Sequence, residues 1–164
     1  MKQFHTFRRP GILMVLAMTT AMLTSCARKS PQSPNILLIL VDDMGYGDAK
    51  CFNEASRIPT PTINRLAEEG MRFTDAHATG PLCHMSRYGL MTGEYSFRTD
   101  VSRWRRHPLI GEDQTTVPSL LKSKGYHTAM VGKWHVGFEE KGYDKPLKGG
   151  PVDRGFDRFF GIRA

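Results

Sequence analysis

Cysteine is scarce, with only Cys26, Cys51 and Cys83 in 164 residues. If Cys26 has another use, the remaining two allow one disulfide at most, even in an oxidising compartment. Long apolar runs are lacking as well. The stretch Gly11 to Leu23 is too short to cross a bilayer comfortably. No internal repeat occurs, and no stripe of basic residues alternates with aromatics, so nucleic acid is not an expected partner. The first ten residues hold no acid but include Lys2, Arg8 and Arg9.

That basic start, followed by a short apolar stretch, has the proportions of an export signal. Small residues in Leu23-Thr24-Ser25 lead into Cys26. The segment resembles a bacterial lipoprotein processing site, in which cleavage before the cysteine leaves that cysteine to carry lipid. An ordinary signal peptide with an incidental Cys26 is the alternative. The expected layout is a signal at 1–25, a polar, proline-broken tether at 26–34 and a single domain at 35–164. Export to a bacterial periplasm or cell envelope follows, with the membrane as a partner through the lipid anchor.

The whole chain has 40% hydrophobic residues and a formal net charge of +7 (23 Lys plus Arg against 16 Asp plus Glu). This suits a globular domain with a general attraction for anionic substrates. The excess is scattered apart from Arg103, Arg105 and Arg106.

Asn35 to Val41 is a continuous apolar run that stops at Asp42-Asp43, as expected of a strand buried on both faces. Thr60 then reads as an N-cap and Pro61 as the first helical residue. Ile63, Leu66 and Ala67 share one face, and Gly70 is the stop. Met71 to His77 alternates like a short strand. Thr115 or Thr116 caps a second helix through Leu120 and Leu121, ending at Gly125, and Tyr126 to Val131 forms another strand closing at Gly132. Ser86 to Met91 is a further candidate helix, just after Cys83. Strands alternating with helices predict an α/β fold with a mostly parallel sheet. Ligands of such sheets bind beyond the carboxyl ends of the strands. Asp42-Asp43, Cys83 and Lys133-Trp134-His135 would meet there.

Asp42 and Asp43 offer hard oxygen donors suited to calcium or magnesium, although an Asp-Asp pair before Met44-Gly45 also reads as a polar turn. His77 and His84 lie near Cys83, with no role expected for either. Cys51 reads as a small buried residue, and Trp134 as packing for the loop that carries its neighbours.

The segment Cys83-His84-Met85-Ser86-Arg87 followed by Leu90, Thr92 and Gly93 resembles the signature of the sulfatase family, within the alkaline-phosphatase-like superfamily. One position departs from it, because the family has proline where this chain has Met85. Asn35 to Tyr46, Thr60 to Gly70, Gly125 to Gly137 and Gly155 to Gly161 resemble further family segments in the family's order. The resemblance implies an alkaline-phosphatase-like fold and hydrolysis of sulfate esters of small molecules or glycans. It implies that a formylglycine-generating enzyme oxidises Cys83 to formylglycine, whose hydrate attacks sulfur and then releases sulfate. Asp42, Asp43 and Cys83 would hold Ca2+ or Mg2+, Arg87 would steady the hydrate, and Lys133 and His135 would contact the sulfate. The family's remaining metal ligands, an aspartate and asparagine pair, lie further along than Ala164, so the chain reads as the N-terminal part of a catalytic domain. Two alternatives stay open: a phosphate-ester or phosphonate hydrolase on the same scaffold, and a non-catalytic, lipid-anchored binding protein in which Cys83 stays a thiol.

Overall fold

The core gathers around Trp134, whose side chain is 1% exposed, with Tyr88, Leu109, Ile110, Val136 and Phe138 packed about it. The computed structural model from which this is drawn describes residues 33–142 and 144–163. The expected signal at 1–25 and the lipidation residue Cys26 lie outside the described residues, as does most of the tether. No described helix is long and apolar enough to cross a membrane.

The chain forms two units, Met1–Leu40 and Val41–Ala164. In the first, residues 33–40 carry no sheet pairing, and Leu37 is 85% exposed. The strand expected over Asn35 to Val41 is therefore not formed. Apolarity on both faces signals a need for cover, but a strand also needs a neighbour to take its N–H and C=O groups.

The second unit follows the predicted helices more closely. Helix α1 is Pro61–Glu69, with Thr60 at the N-cap position and Gly70 at the end, where its N–H donates to the Leu66 carbonyl at 3.0 Å. The Thr60 hydroxyl faces away from the helix N–H groups and donates to Asn64 Oδ1. Ile63 and Ala67 are half-buried, while Leu66 is exposed. Residues 71–77 are irregular where a strand was expected. A local bond between Asp75 and His77 at 2.7 Å favours a bend there instead.

Helix α2 is Cys83–Thr92, so Cys83 belongs to the helix rather than preceding it, and no strand leads into it. It ends at Gly93, whose φ of 73° lies in the left-handed region that glycine tolerates. Its first turn is clamped to the preceding chain. Thr79 Oγ1 donates to the Met85 carbonyl at 3.0 Å and Ser86 Oγ to that of Gly80 at 2.9 Å. Helix α3, Val117–Ser123, starts from a reciprocal cap: Ser119 N–H donates to Thr116 Oγ1 at 3.2 Å, and Thr116 N–H to Ser119 Oγ at 2.8 Å.

Strand β1, Ala129–Lys133, pairs in parallel with β2, Arg158–Ile162, from Ala129 opposite Arg158 to Lys133 opposite Ile162. The fold is α/β with a parallel pair, as expected. β1 begins three residues later than predicted because Thr128 is tied sideways to Gly155 and Asp157. It also runs one residue past Gly132, which makes Lys133 the last strand residue. Backbone pairing continues beyond the strand ends, from Trp134 N–H to Ile162 and from His135 N–H to Arg163 at 2.8 Å.

Candidate functional site

Position along α2 decides the first pair of side chains. Cys83 starts the helix and Arg87 follows four residues later, so both lie on one face, one turn apart. Arg87 is buried, and its Nη1 donates to the Lys133 carbonyl at 2.6 Å. That bond joins the helix to the end of β1.

Asp42 meets both cations. Lys133 Nζ donates to Asp42 Oδ2 at 2.9 Å, and Arg87 Nη2 lies 3.5 Å from Oδ1. The Lys133 hydrogen bond, opposed by slight burial and reinforced by Arg87, holds the Asp42 carboxyl below its usual range. Lys133 is held above its usual range, first by Asp42 and also by Cys83. Asp43 adopts a φ of 56°, a left-handed turn that aspartate accepts more readily than most residues. This turn solves the problem posed by adjacent carboxylates, which would otherwise face opposite ways. One donor atom each from Asp42, Asp43 and Cys83 falls within 4.8 Å of the others.

The donor chemistry tests which ion fits. Two carboxylates are hard oxygen ligands for calcium or magnesium, whereas a thiol is a soft one. The set becomes uniform once position 83 carries oxygen, so the group fits a hard cation with an oxidised Cys83.

His135 lies two residues beyond Lys133 with a φ of 54°, a strained conformation for histidine. Its ring packs edge-on against Trp104 at 4.2 Å and lies 5.7 Å from His84, which itself stacks on Trp104 at 5.5 Å. Burial lowers the pKa of His135, and the nearby charges of Lys133, His84 and Arg87 lower it further. Burial alone lowers that of His84. Among the described residues, two buried polar atoms have no partner: Arg87 Nε and His135 Nδ1. Unpaired buried polar atoms are costly, which makes them natural contacts for a ligand.

The structure thus brings together Asp42, Asp43, Cys83, Arg87 and Lys133, with His135 carried on the adjoining loop. His77 is not among them; it is exposed and bound to Asp75. Cys51 and Cys83 are both free, which removes the disulfide between them. His84 and Trp104 are additions. Adjacency to Cys83 was a signal for His84, but nothing periodic marked Trp104.

Residues 34–164 match the family model described as Sulfatase. The chain is 37% identical over 165 residues to an N-acetylgalactosamine-6-O-sulfatase of Bacteroides thetaiotaomicron, with 93% of this chain and 32% of the relative covered. It is 36% identical over 162 residues to an N-acetylgalactosamine-6-sulfatase of Canis lupus familiaris, covering 92% and 29%. Against a steryl-sulfatase of Mus musculus it is 36% identical over 168 residues, covering 94% and 27%. The chain therefore spans about a third of the length of these curated relatives. Among solved structures, a sulfatase from a glycosaminoglycan locus of Bacteroides thetaiotaomicron superposes with a TM-score of 0.72 at 38% identity, over 80% of this chain and 28% of that one. A second, Ps i-CgsB in complex with k-i-k-neocarrahexaose, gives 0.64 at 36% identity over the same shares.

Proposed function

The chain belongs to the sulfatase family, and from that premise we propose that the protein hydrolyses sulfate esters at the cluster of Asp42, Asp43, Cys83, Arg87, Lys133 and His135. One observation carries the reading. Two carboxylates and the nucleophile position share a donor cluster, while two buried nitrogens, Arg87 Nε and His135 Nδ1, have no hydrogen-bond partner among the described residues. A sulfate monoester supplies acceptors for Arg87 Nε and for the protonated nitrogen of His135, and a negative charge for Lys133.

In this reading a formylglycine-generating enzyme oxidises Cys83, and the hydrated aldehyde provides the attacking oxygen and a second hydroxyl that releases sulfate. Asp42, Asp43 and oxidised Cys83 would hold calcium, with magnesium as a substitute. The ion, when bound, supplies positive charge that polarises the sulfate and favours the ionised nucleophile. Arg87 orients the nucleophile from one helical turn away and braces Lys133 through its carbonyl. Lys133 and His135 bind the sulfate oxygens.

The substrate class is a sulfated small molecule or glycan. The relatives named above act on both sugar and steroid esters by their names, so family membership alone does not choose between them. The protein is exported and lipid-anchored at the cell envelope through Cys26, with residues 35–164 forming the N-terminal part of the catalytic domain. Loss of fatty-acid labelling in Cys26→Ala is the expected check on the anchor, and unchanged labelling refutes it.

Met85 favours a second reading, a lipid-anchored binding protein in which Cys83 stays a thiol. Co-expression with a competent oxidising enzyme separates the two. The expected result is a Cys83 peptide that carries an aldehyde, reacts with a hydrazide and accompanies hydrolysis of an aryl sulfate faster than of the matching aryl phosphate. Free thiol with no turnover overturns the sulfatase reading, and faster phosphate turnover moves the protein to the phosphatase alternative.

A further inference from the structure

The loop that carries His135 is held by its main chain. His135 N–H donates to the Arg163 carbonyl at 2.8 Å, and Leu109 N–H donates to that of Val136 at 2.9 Å. The buried Trp134 Nε1 donates to the Gly137 carbonyl at 2.9 Å. Gly137 has a φ of 87°, and a Cβ there would stand 2.7 Å from the Trp104 carbonyl oxygen and 2.3 Å from that of His107. Only glycine permits so close an approach. These contacts fix the backbone of residues 135–137, including the strained φ of 54° at His135. They do not fix the imidazole, whose Nδ1 is buried with no hydrogen-bond partner among the described residues.

The imidazole meets rings instead. Trp104 lies half-buried in the short helical turn Val101–Arg105. Its indole stands edge-on to the His135 ring, with centroids 4.2 Å apart and planes at 81°. Such a contact sets the positive edge of one ring against the negative face of the other, so it favours one ring rotation over the rest. The indole is itself wedged. His84, which is buried, stacks on it at 5.5 Å with planes at 25°, and the Arg105 guanidinium lies 5.0 Å from its centroid. Three groups of the protein thus cover the ring, and its contacts point inward. His84 directly follows Cys83, so the same indole ties the His135 ring to the start of α2.

We propose that Trp104 is a positioning residue, which touches no substrate and acts by fixing the rotation of the His135 imidazole against the start of α2. The proposal deepens the sulfatase reading and rests on His135 being a sulfate contact. A braced backbone with a loose ring would offer the sulfate a wandering partner, and a misplacement of about 1 Å can cost about 10²-fold in rate.

Two measurements on the whole protein test this. The first needs no turnover. Histidine rings are labelled with 13C, and the His135 signals are assigned by their loss in His135→Asn, because asparagine accepts the same left-handed backbone. The parent and Trp104→Phe, which keeps an aromatic ring, should each give one sharp set of His135 signals with cross-peaks to residue 104. Trp104→Leu, or Trp104→Met should the first not fold, should broaden or split them as the ring samples several rotations. A His135 ring already mobile in the parent, or equally ordered in the aliphatic variant, overturns the proposal. The second measurement is a double-mutant cycle in kcat/KM on an aryl sulfate. Trp104→Leu should lower it about 10–10²-fold, and Trp104→Phe should restore most of the loss. In the His135→Asn background, Trp104→Leu should cost no more than about twofold. Losses that simply multiply would show general support of the fold and overturn the positioning role. A parent that hydrolyses no sulfate ester would sink the sulfatase reading, and the NMR comparison would still decide whether Trp104 holds the ring.

Discussion

Lys133 Nζ stands 2.9 Å from Asp42 Oδ2, so a cation belonging to the chain already occupies one side of a carboxylate assigned above to calcium. A metal and an ammonium could share Asp42 only from different lone pairs, which would make Lys133 the link between the proposed metal ligands and the proposed sulfate position. The same residue accepts Arg87 at its carbonyl, so its backbone is braced while its side chain reaches the carboxylate.

Lys133→Met should therefore lower kcat on an aryl sulfate by about 10²–10³-fold, the scale for losing one charged donor at a developing anion. Calcium titration should still show binding, because both carboxylates remain. Loss of calcium together with activity would show instead that Lys133 serves mainly to shape the metal site.

Asp43→Ala removes a proposed ligand without touching the Lys133 pair. The expected outcome is loss of bound calcium, measured by elemental analysis, and loss of turnover that excess calcium restores only in part. Full activity in chelator-treated protein would refute the metal role of both aspartates.

Met85→Pro should raise the fraction of Cys83 converted to the aldehyde, read from the mass of its peptide. Met85 is the third residue of α2, where the backbone N–H has no intrahelical acceptor, so proline sacrifices no helix bond. An unchanged fraction, with the folded state intact by circular dichroism, would show that the oxidising enzyme accepts methionine.

Stability at low pH should depend on Asp157. Lys122, at 2.6 Å, and the Thr128 N–H lower its pKa from 3.8 to about 2. The folded form thus holds this proton less tightly than the unfolded chain. Its contribution is complete above about pH 4 and is lost as pH falls through about 2. Asp157→Asn should melt earlier at pH 7, and its Tm should fall less steeply than the parent's between pH 4 and 2. Parallel curves would remove the linkage.

Gly137→Ala should cost about 1–3 kcal/mol from the positive φ alone, with more added by the clash at the His107 and Trp104 carbonyls. Urea unfolding measures the loss, and Trp104 fluorescence should shift as its segment is pushed away. A variant as stable as the parent would mean that the loop accommodates a methyl group freely.

The helices were legible because their signals are local. Thr60-Pro61 and Thr116 start two of them, and Gly70, Gly93 and Gly125 stop three, with φ of 73° and 84° at the last two. The strands were less so, since pairing depends on residues far away. Asn35 to Val41 has the composition of a buried strand but no ladder, and Thr128 delays β1 through a bond to a residue 29 positions on. The residues of the proposed site stand out in the sequence by type and motif. The stack of His84, Trp104 and His135 did not, because it joins three separate segments by shape alone.

The clamp on the first turn of α2 has a consequence for timing. Thr79 and Ser86 fasten the chain on either side of Cys83 through carbonyls at Met85 and Gly80, and a Cβ at Gly80 would stand 2.6 Å from that of Met85. Another protein that must grasp Cys83 in an extended segment would have to break these bonds and unwind a helical turn. If Cys83 is oxidised as proposed, that step would have to precede the closing of α2, and a molecule that folded first would keep its thiol. Adding the oxidising enzyme to native Cys83 protein and to a freshly diluted unfolded chain would expose that order of events, with the aldehyde appearing only in the second.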